Sequence, residues 1–292
     1  MLGPRILVAS MVPREGRPKP YKHGNRWQYH SRSDRHSKVA CWGLMLDFLQ
    51  HCALLRSHAA DGLVGFGLNH EMRDFRTGRR KNLDLVICRP RAEKPDARRR
   101  LTFAERAADI EAILDVDARA ALETLPIVRE FPVGAVLVAV EAKACMTAFG
   151  KSRPRLYDEL NSSHQTIHGD SIHTIAAGLT LVNLADEFIS PDLNKFDLAT
   201  HAPVVSRHNQ PRDAERVIEK LREIPRRARE GEEGFDAFGI TAISCKNDGS
   251  PVAVVEAPPA PQPGDIYHYE GMVHRLGQLY EHKFRDLAPR RR

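Results

Sequence analysis

The order of apolar and polar positions divides the chain into helical and extended stretches. From 36 to 56, HSKVACWGLMLDFLQHCALLR is apolar on nearly every face, the pattern of a helix packed on a sheet and covered from outside, with Ser37 placed to cap it. Two apolar runs follow, GLVGFGL (62–68) and NLDLVIC (82–88), separated by basic residues around Gly78; they predict a hairpin. TFAERAADIEAILDVDARAALETL (102–125) has helical period and propensity, and predicts an inserted helical pair. AVLVAVEAKACM (135–146) predicts a core strand. KSRPRLYDELNSSHQTIHG (151–169) predicts an amphipathic helix with Leu156, Leu160 and Ile167 on one face, Pro154 in its first turn and Gly169 as its stop. HTIAAGLTLVNLA (173–185) is a continuous apolar run, a second buried strand.

The flanks are less periodic. Residues 1–35 read as a basic arm with interleaved aromatics around Trp27 and Tyr29, fit either to track DNA or to pack on the domain. Residues 36–200 form the expected core, with the helical insertion at about 91–130. Residues 201–292 read as a C-terminal appendage: a helix near 211–224, a hairpin with an Asn-Asp-Gly-Ser turn, a Pro-rich connector (257–264) and a final helix. The whole is an α/β fold with a mixed central sheet flanked by helices.

Composition narrows the picture modestly. Lys and Arg number 44 against 38 Asp and Glu, a net charge of +6 that favours an anionic partner. Basic residues cluster at 76–81, 89–100, 151–155 and 289–292. The five cysteines are scattered without a C-x-x-C pair, which suggests neither a disulfide framework nor a zinc knuckle and fits a reducing cytoplasm. No apolar stretch has the length of a transmembrane helix, and no membrane partner is expected.

The sharpest chemical signal lies where the 135–146 strand ends. Alternation places Ala139, Glu141 and Lys143 on one side and Val136, Val138 and Val140 on the other, so opposite charges sit together at the edge of a core. Burying them costs desolvation unless a ligand compensates. In the 82–88 strand, alternation sets Leu83, Leu85 and Ile87 on one face and Asn82, Asp84 and Val86 on the other, making Asp84 a second buried carboxylate. Asp84 and Glu141 converging would suit Mg²⁺, which takes a few hard oxygens and keeps waters; the Ala142 backbone carbonyl offers a third oxygen. The plainer account is a Glu141–Lys143 pair at a solvent-exposed strand end and Asp84 bonded to backbone.

An Asp in the second strand, Glu-x-Lys ending the third, then a helix and a fourth strand resemble the PD-(D/E)xK nuclease superfamily, which includes type II restriction endonucleases. The resemblance covers roughly residues 36–185. It implies a restriction-endonuclease-like core, Asp84 and Glu141 as metal ligands, Lys143 as the catalytic lysine, and Mg²⁺, with Mn²⁺ substituting, as cofactor. Leu83 replaces the proline that often precedes the aspartate, and the long interval from Asp84 to Glu141 requires the helical insertion. The implied activity is hydrolysis of DNA phosphodiesters, as an endonuclease on double-stranded DNA. A restriction enzyme of this kind implies a homodimer and a cognate methyltransferase; DNA repair, junction resolution, phage defence and non-catalytic nucleic-acid binding remain alternatives.

Other residues fit two roles each. Glu71 suits a third acidic ligand or a carboxylate offsetting nearby arginines; Asp47 suits the metal site or solvent. Lys151, Arg153 and Arg155 open a helix whose dipole favours a phosphate, and Asn161, His164, Gln165 and His168 form a polar surface for DNA or solvent, with His164 and His168 spaced for zinc.

Overall fold

Both apolar runs after the first long helix extend further than their hydrophobic cores and pair as expected. In the computed structural model, which describes residues 1–13, 20–91 and 100–287, β1 (Gly65–Arg73) and β2 (Arg80–Pro90) are antiparallel, with Gly65 opposite Cys88 and Arg73 opposite Arg80. β3 (Val133–Cys145) lies antiparallel to β2, and β4 (Ile175–Asn183) lies parallel to β3. A small pair, β5 (Glu187–Ile189) and β6 (Val205–Arg207), stands apart. β7 (Ala237–Ser244) runs parallel to β4, and β8 (Ala253–Val254) closes the hairpin expected there with only two residues. The result is a mixed six-stranded sheet in the order β1-β2-β3-β4-β7-β8.

Helices cover both faces. On one, α1 (Gly3–Met11), α2 (Arg35–His51), α3 (Ala53–Ala60), the inserted pair α4 (Phe103–Asp109) and α5 (Val116–Glu123), and the last helix enclose a core that includes Leu44, Phe48, Val138, Val140 and Leu276. On the other, α6 (Phe149–Asp170) and α7 (Arg212–Arg222) bury Leu156, Leu160, Val217 and Leu221 against Ala139, Val182 and Phe238. The last helix, α8 (Tyr269–Phe284), places Tyr280 edge-on to Phe48.

Several expectations are corrected by packing. Residues 3–11 are helical, not part of a loose arm, and bury Ile6, Leu7 and Met11; Gly3 approaches Gly43 so closely that a Cβ on Gly43 would lie 2.7 Å from the Gly3 Cα. Trp27 is buried, so this aromatic packs on the domain. The C-terminal third is no appendage to the sheet, because β7 contributes its fifth strand and α8 its core. The N-cap position of α2 is Asp34, whose side chain makes no capping bond, and Ser37 donates to the Asp34 carbonyl at 2.9 Å. Gly169 lies within α6, whose C-cap is Ser171; its missing side chain makes room for Asp74.

Simple alternation also breaks twice. The β2–β3 register shifts between Ile87 and Cys88, and beyond it Val136 packs on the α6 side while Val138 and Val140 stay on the α2 side. Leu83 likewise joins the α6-side core, apart from Leu85 and Ile87; the irregular step faces Asn69 of β1, which lies between the Leu68–Leu85 and His70–Leu83 pairs and takes a left-handed φ of 49°.

Candidate active site

Asp84 sits where β2 parts from β3. Backbone pairing ends at Leu85 opposite Val140, and the next β3 donor, the Ala142 N–H, is taken by the Asp84 carboxylate at 2.8 Å. A side chain thus replaces a strand, and a cleft opens there. Burial raises the Asp84 pKa, opposed by this bond and by the Ser37 hydroxyl.

Glu141 and Lys143 project from β3 at the same place. Glu141 is 1% exposed; its Oε1 lies 2.8 Å from Lys143 Nζ and 3.9 Å from Lys81 Nζ, and its Oε2 has no hydrogen-bond partner. Burial holds Glu141 above the usual carboxylate range; the two lysines oppose the shift and the charge of Asp84 adds to it. Burial works against the Lys143 ammonium, but Glu141, Glu159 and Asp84 outweigh it and raise the pKa, so the lysine stays charged.

Two further residues complete the cluster. Glu159 of α6 lies 3.4 Å from Lys143 and accepts from Arg155 Nε at 2.6 Å. Lys81 of β2 donates to the Glu159 carbonyl at 2.5 Å, and burial lowers its pKa. Sequence reading missed both, since no local pattern brings β2, β3 and the middle of α6 together. The nearest signal was the basic run containing Lys81.

Asp84 and Lys143 line a cleft of about 630 Å³. Its walls come from Tyr29 and Arg32 of the N-terminal segment, Thr147 just before α6, Arg155 within it, and Asp192 and Leu193 after β5. The N-terminal wall is held in place: the Asn247 side chain exchanges two hydrogen bonds with the Tyr29 backbone at 2.9 and 3.0 Å, and Ser31 donates to Asp192 at 3.0 Å.

The remaining candidates lie elsewhere. Glu71, opposite Asn82 on β1, is exposed and 3.4 Å from Arg80, so it offsets an arginine and does not join the two buried carboxylates. Asp47 faces neither site nor solvent: it is buried, accepts from the backbone N–H groups of Leu2 and Gly3 at 2.8 Å each, and thereby caps α1. Lys151 is exposed, Arg153 faces α7 near Arg216, and Arg155 reaches the cleft.

The polar surface expected on α6 is largely internal. His164 is buried against Phe235 and bonded to Asn161 at 3.1 Å; His168 bonds the Gly234 carbonyl at 3.0 Å; Gln165 accepts from Arg79 at 3.2 Å. Burial pushes both histidines down to about 4. A zinc site there is not formed, and among the described residues no three His, Cys, Asp or Glu side chains gather around a common point. The basic stretch 92–99 and the final arginines, 290–292, lie outside the described residues.

Comparison with protein-family models, with curated proteins and with solved structures gives no significant match. No helix among the described residues is long and apolar enough to cross a membrane.

Proposed function

We propose that the chain is a divalent-metal-dependent nuclease that cleaves internal phosphodiesters of DNA, organised as in the PD-(D/E)xK superfamily. The observation that carries the reading is the grouping of Asp84, Glu141 and Lys143 where β2 leaves β3, with Asp84 and Lys143 lining a walled cleft and Glu141 buried beside them. The donor set suits Mg²⁺: two carboxylates, both made harder to ionise by burial, one with an unpartnered buried oxygen. Asp84 and Glu141 would hold the ion, and Mn²⁺ should substitute. When bound, the ion supplies a Lewis acid for the phosphoryl oxygens.

The protein's own groups do the rest. Lys143, kept protonated by its carboxylates, is placed to donate to a phosphate oxygen as negative charge develops there. Glu159 fixes that ammonium from the α6 side, and Arg155 adds positive charge at the cleft wall. Within this class, restriction-type cleavage of duplex DNA by a homodimer is the form that the sequence resemblance implies.

Incubation of supercoiled plasmid with Mg²⁺ tests the reading. Wild type should nick or linearise it, and Asp84→Asn, Glu141→Gln and Lys143→Ala should each lose at least about a hundredfold in rate. Discrete fragments would support sequence-specific restriction. A wild type inert on DNA and RNA with several divalent ions would exclude the nuclease reading.

A further inference from the structure

The turn between β1 and β2 exposes Phe75 to 71%, and it is the one large aromatic side chain exposed among the described residues. An isolated exposed apolar side chain is ordinary. This one stands on a turn secured from every side. Asp74, only 2% exposed, accepts from the Arg76 N–H at 2.9 Å and the Thr77 hydroxyl at 2.7 Å. Its backbone donates to the Arg79 carbonyl at 2.8 Å and accepts from Gly78 at 2.7 Å, with Gly78 at φ +75°. The Phe75 N–H bonds the Gly169 carbonyl at 3.2 Å, and a Cβ on Gly169 would strike the Asp74 carboxylate. The turn is therefore docked on the last turn of α6 while the ring points away.

Arg73 lies 6.0 Å from the ring centroid, and Arg76, Arg79 and Arg80 of the same turn and strand are exposed, Arg79 donating to Ser162 and Gln165 of α6. The acids facing them are Glu71, paired with Arg80; Asp74, beside Arg76; and Asp170, which accepts from the Arg73 backbone. Guanidinium groups remain in excess. The same strand leads from this turn to the candidate site: Asp84 lies four positions beyond Arg80, an advance of about 13 Å. That is less than half of the roughly 34 Å turn of a DNA duplex.

We propose that the β1–β2 turn is a DNA-docking element in which Phe75 stacks on an unpaired base and the surrounding arginines hold the flanking phosphates. The choice of DNA rests on the nuclease reading above. The chemistry follows from the parts: a preorganised ring offers a flat apolar face, and the exposed guanidinium groups of Arg73 and Arg76 offer planar cations to phosphates. Stacking on an intact duplex would first require unstacking a base step, at a cost of a few kcal/mol. The element therefore favours DNA with an already opened stack, and the substrate narrows to single strands or duplexes carrying an unpaired base.

Fluorescence anisotropy of the full chain in EDTA, where cleavage cannot intervene, tests this with three labelled probes: a perfect duplex, the same duplex with one unpaired base, and one of its strands. Wild type should bind the last two more tightly. Phe75→Ala should weaken those two by about fivefold or more without changing the salt dependence, and Phe75→Trp should retain them. Arg73→Ala and Arg76→Ala should weaken all three and lower the slope of log affinity on log salt by about 0.7–0.9 for each phosphate no longer neutralised. Equal binding of all probes by wild type and Phe75→Ala would overturn the proposal. So would absence of DNA binding by wild type, or variants that keep DNA binding but lose binding to anionic phospholipid vesicles. Magnesium-dependent plasmid cleavage alongside unchanged Phe75→Ala binding would sink the docking element alone. Loss of the unpaired-base preference in Phe75→Ala with a wild type inert toward DNA cleavage would sink the nuclease reading alone.

Discussion

Glu141 shows what a single side chain contributes. It is buried beside Asp84, and burial raises the pKa of both, so keeping both ionised at neutral pH weakens the fold while two lysines offset part of the cost. A divalent cation that these carboxylates hold binds the native chain and not the unfolded one. At tenfold excess over its Kd it should stabilise the protein by about 1.4 kcal/mol, a rise of a few degrees in Tm. Thermal scans should show that rise with Mg²⁺ for wild type and none for Asp84→Asn or Glu141→Gln, while both metal-free variants melt no lower than wild type. An equal rise in all three proteins would place the ion elsewhere. Asp84, Glu141 and Lys143 were legible in the sequence because charges interrupt apolar strands, which alternation alone exposes. Lys81 and Glu159 were not, because their roles exist only once α6 lies across the sheet.

At the scale of elements, the order of helix, hairpin, inserted helical pair, strand, helix and strand follows from periodicity, and the structure agrees with it. The place of β7 does not follow: its parallel pairing with β4 joins segments far apart in sequence, and no local pattern encodes such a partner. The phase of β2 and β3 was also hidden, since a register shift between Ile87 and Cys88 and an irregular step between Leu83 and Leu85 reverse faces that strict alternation assigns. One position ties β7 to the candidate site. Gly178 of β4 lies between Glu141 of β3 and Phe238 of β7, and a Cβ there would collide with the Phe238 ring. Phe238 is fully buried, so the ring has little room to yield. Gly178→Ala should cost about 1–3 kcal/mol, read as a lower denaturant midpoint with unchanged slope. A midpoint equal to wild type would mean that the Phe238 ring moves freely.

The whole molecule is joined on its α6 side by a buried polar layer. Arg227 donates to Asp236 at 2.7 Å and to the Thr174 carbonyl at 3.1 Å, Asp236 accepts from the Ala176 N–H at 2.8 Å, and His168 and His164 complete the layer between α6 and the sheet. Burial, with Arg227 contributing, pushes both histidines down to about 4, so they are neutral in the fold at pH 7. An unfolded chain protonates them near pH 6.5. Their contribution is therefore complete above pH 6.5 and declines as pH falls toward 4, because only the unfolded state takes up the protons. The slope reaches about 1.4 kcal/mol per pH unit for each histidine. Asp84 and Glu141 act in the opposite sense, since their raised pKa values let the native state take up protons first as pH falls. The difference between proteins isolates the histidines. Denaturant midpoints of wild type and of a His164→Gln, His168→Gln double variant, measured from pH 7.5 to pH 4.5, should run parallel above 6.5, and wild type should lose ground below it. Parallel curves throughout would show that these rings take up protons within the fold, and that acid sensitivity arises elsewhere.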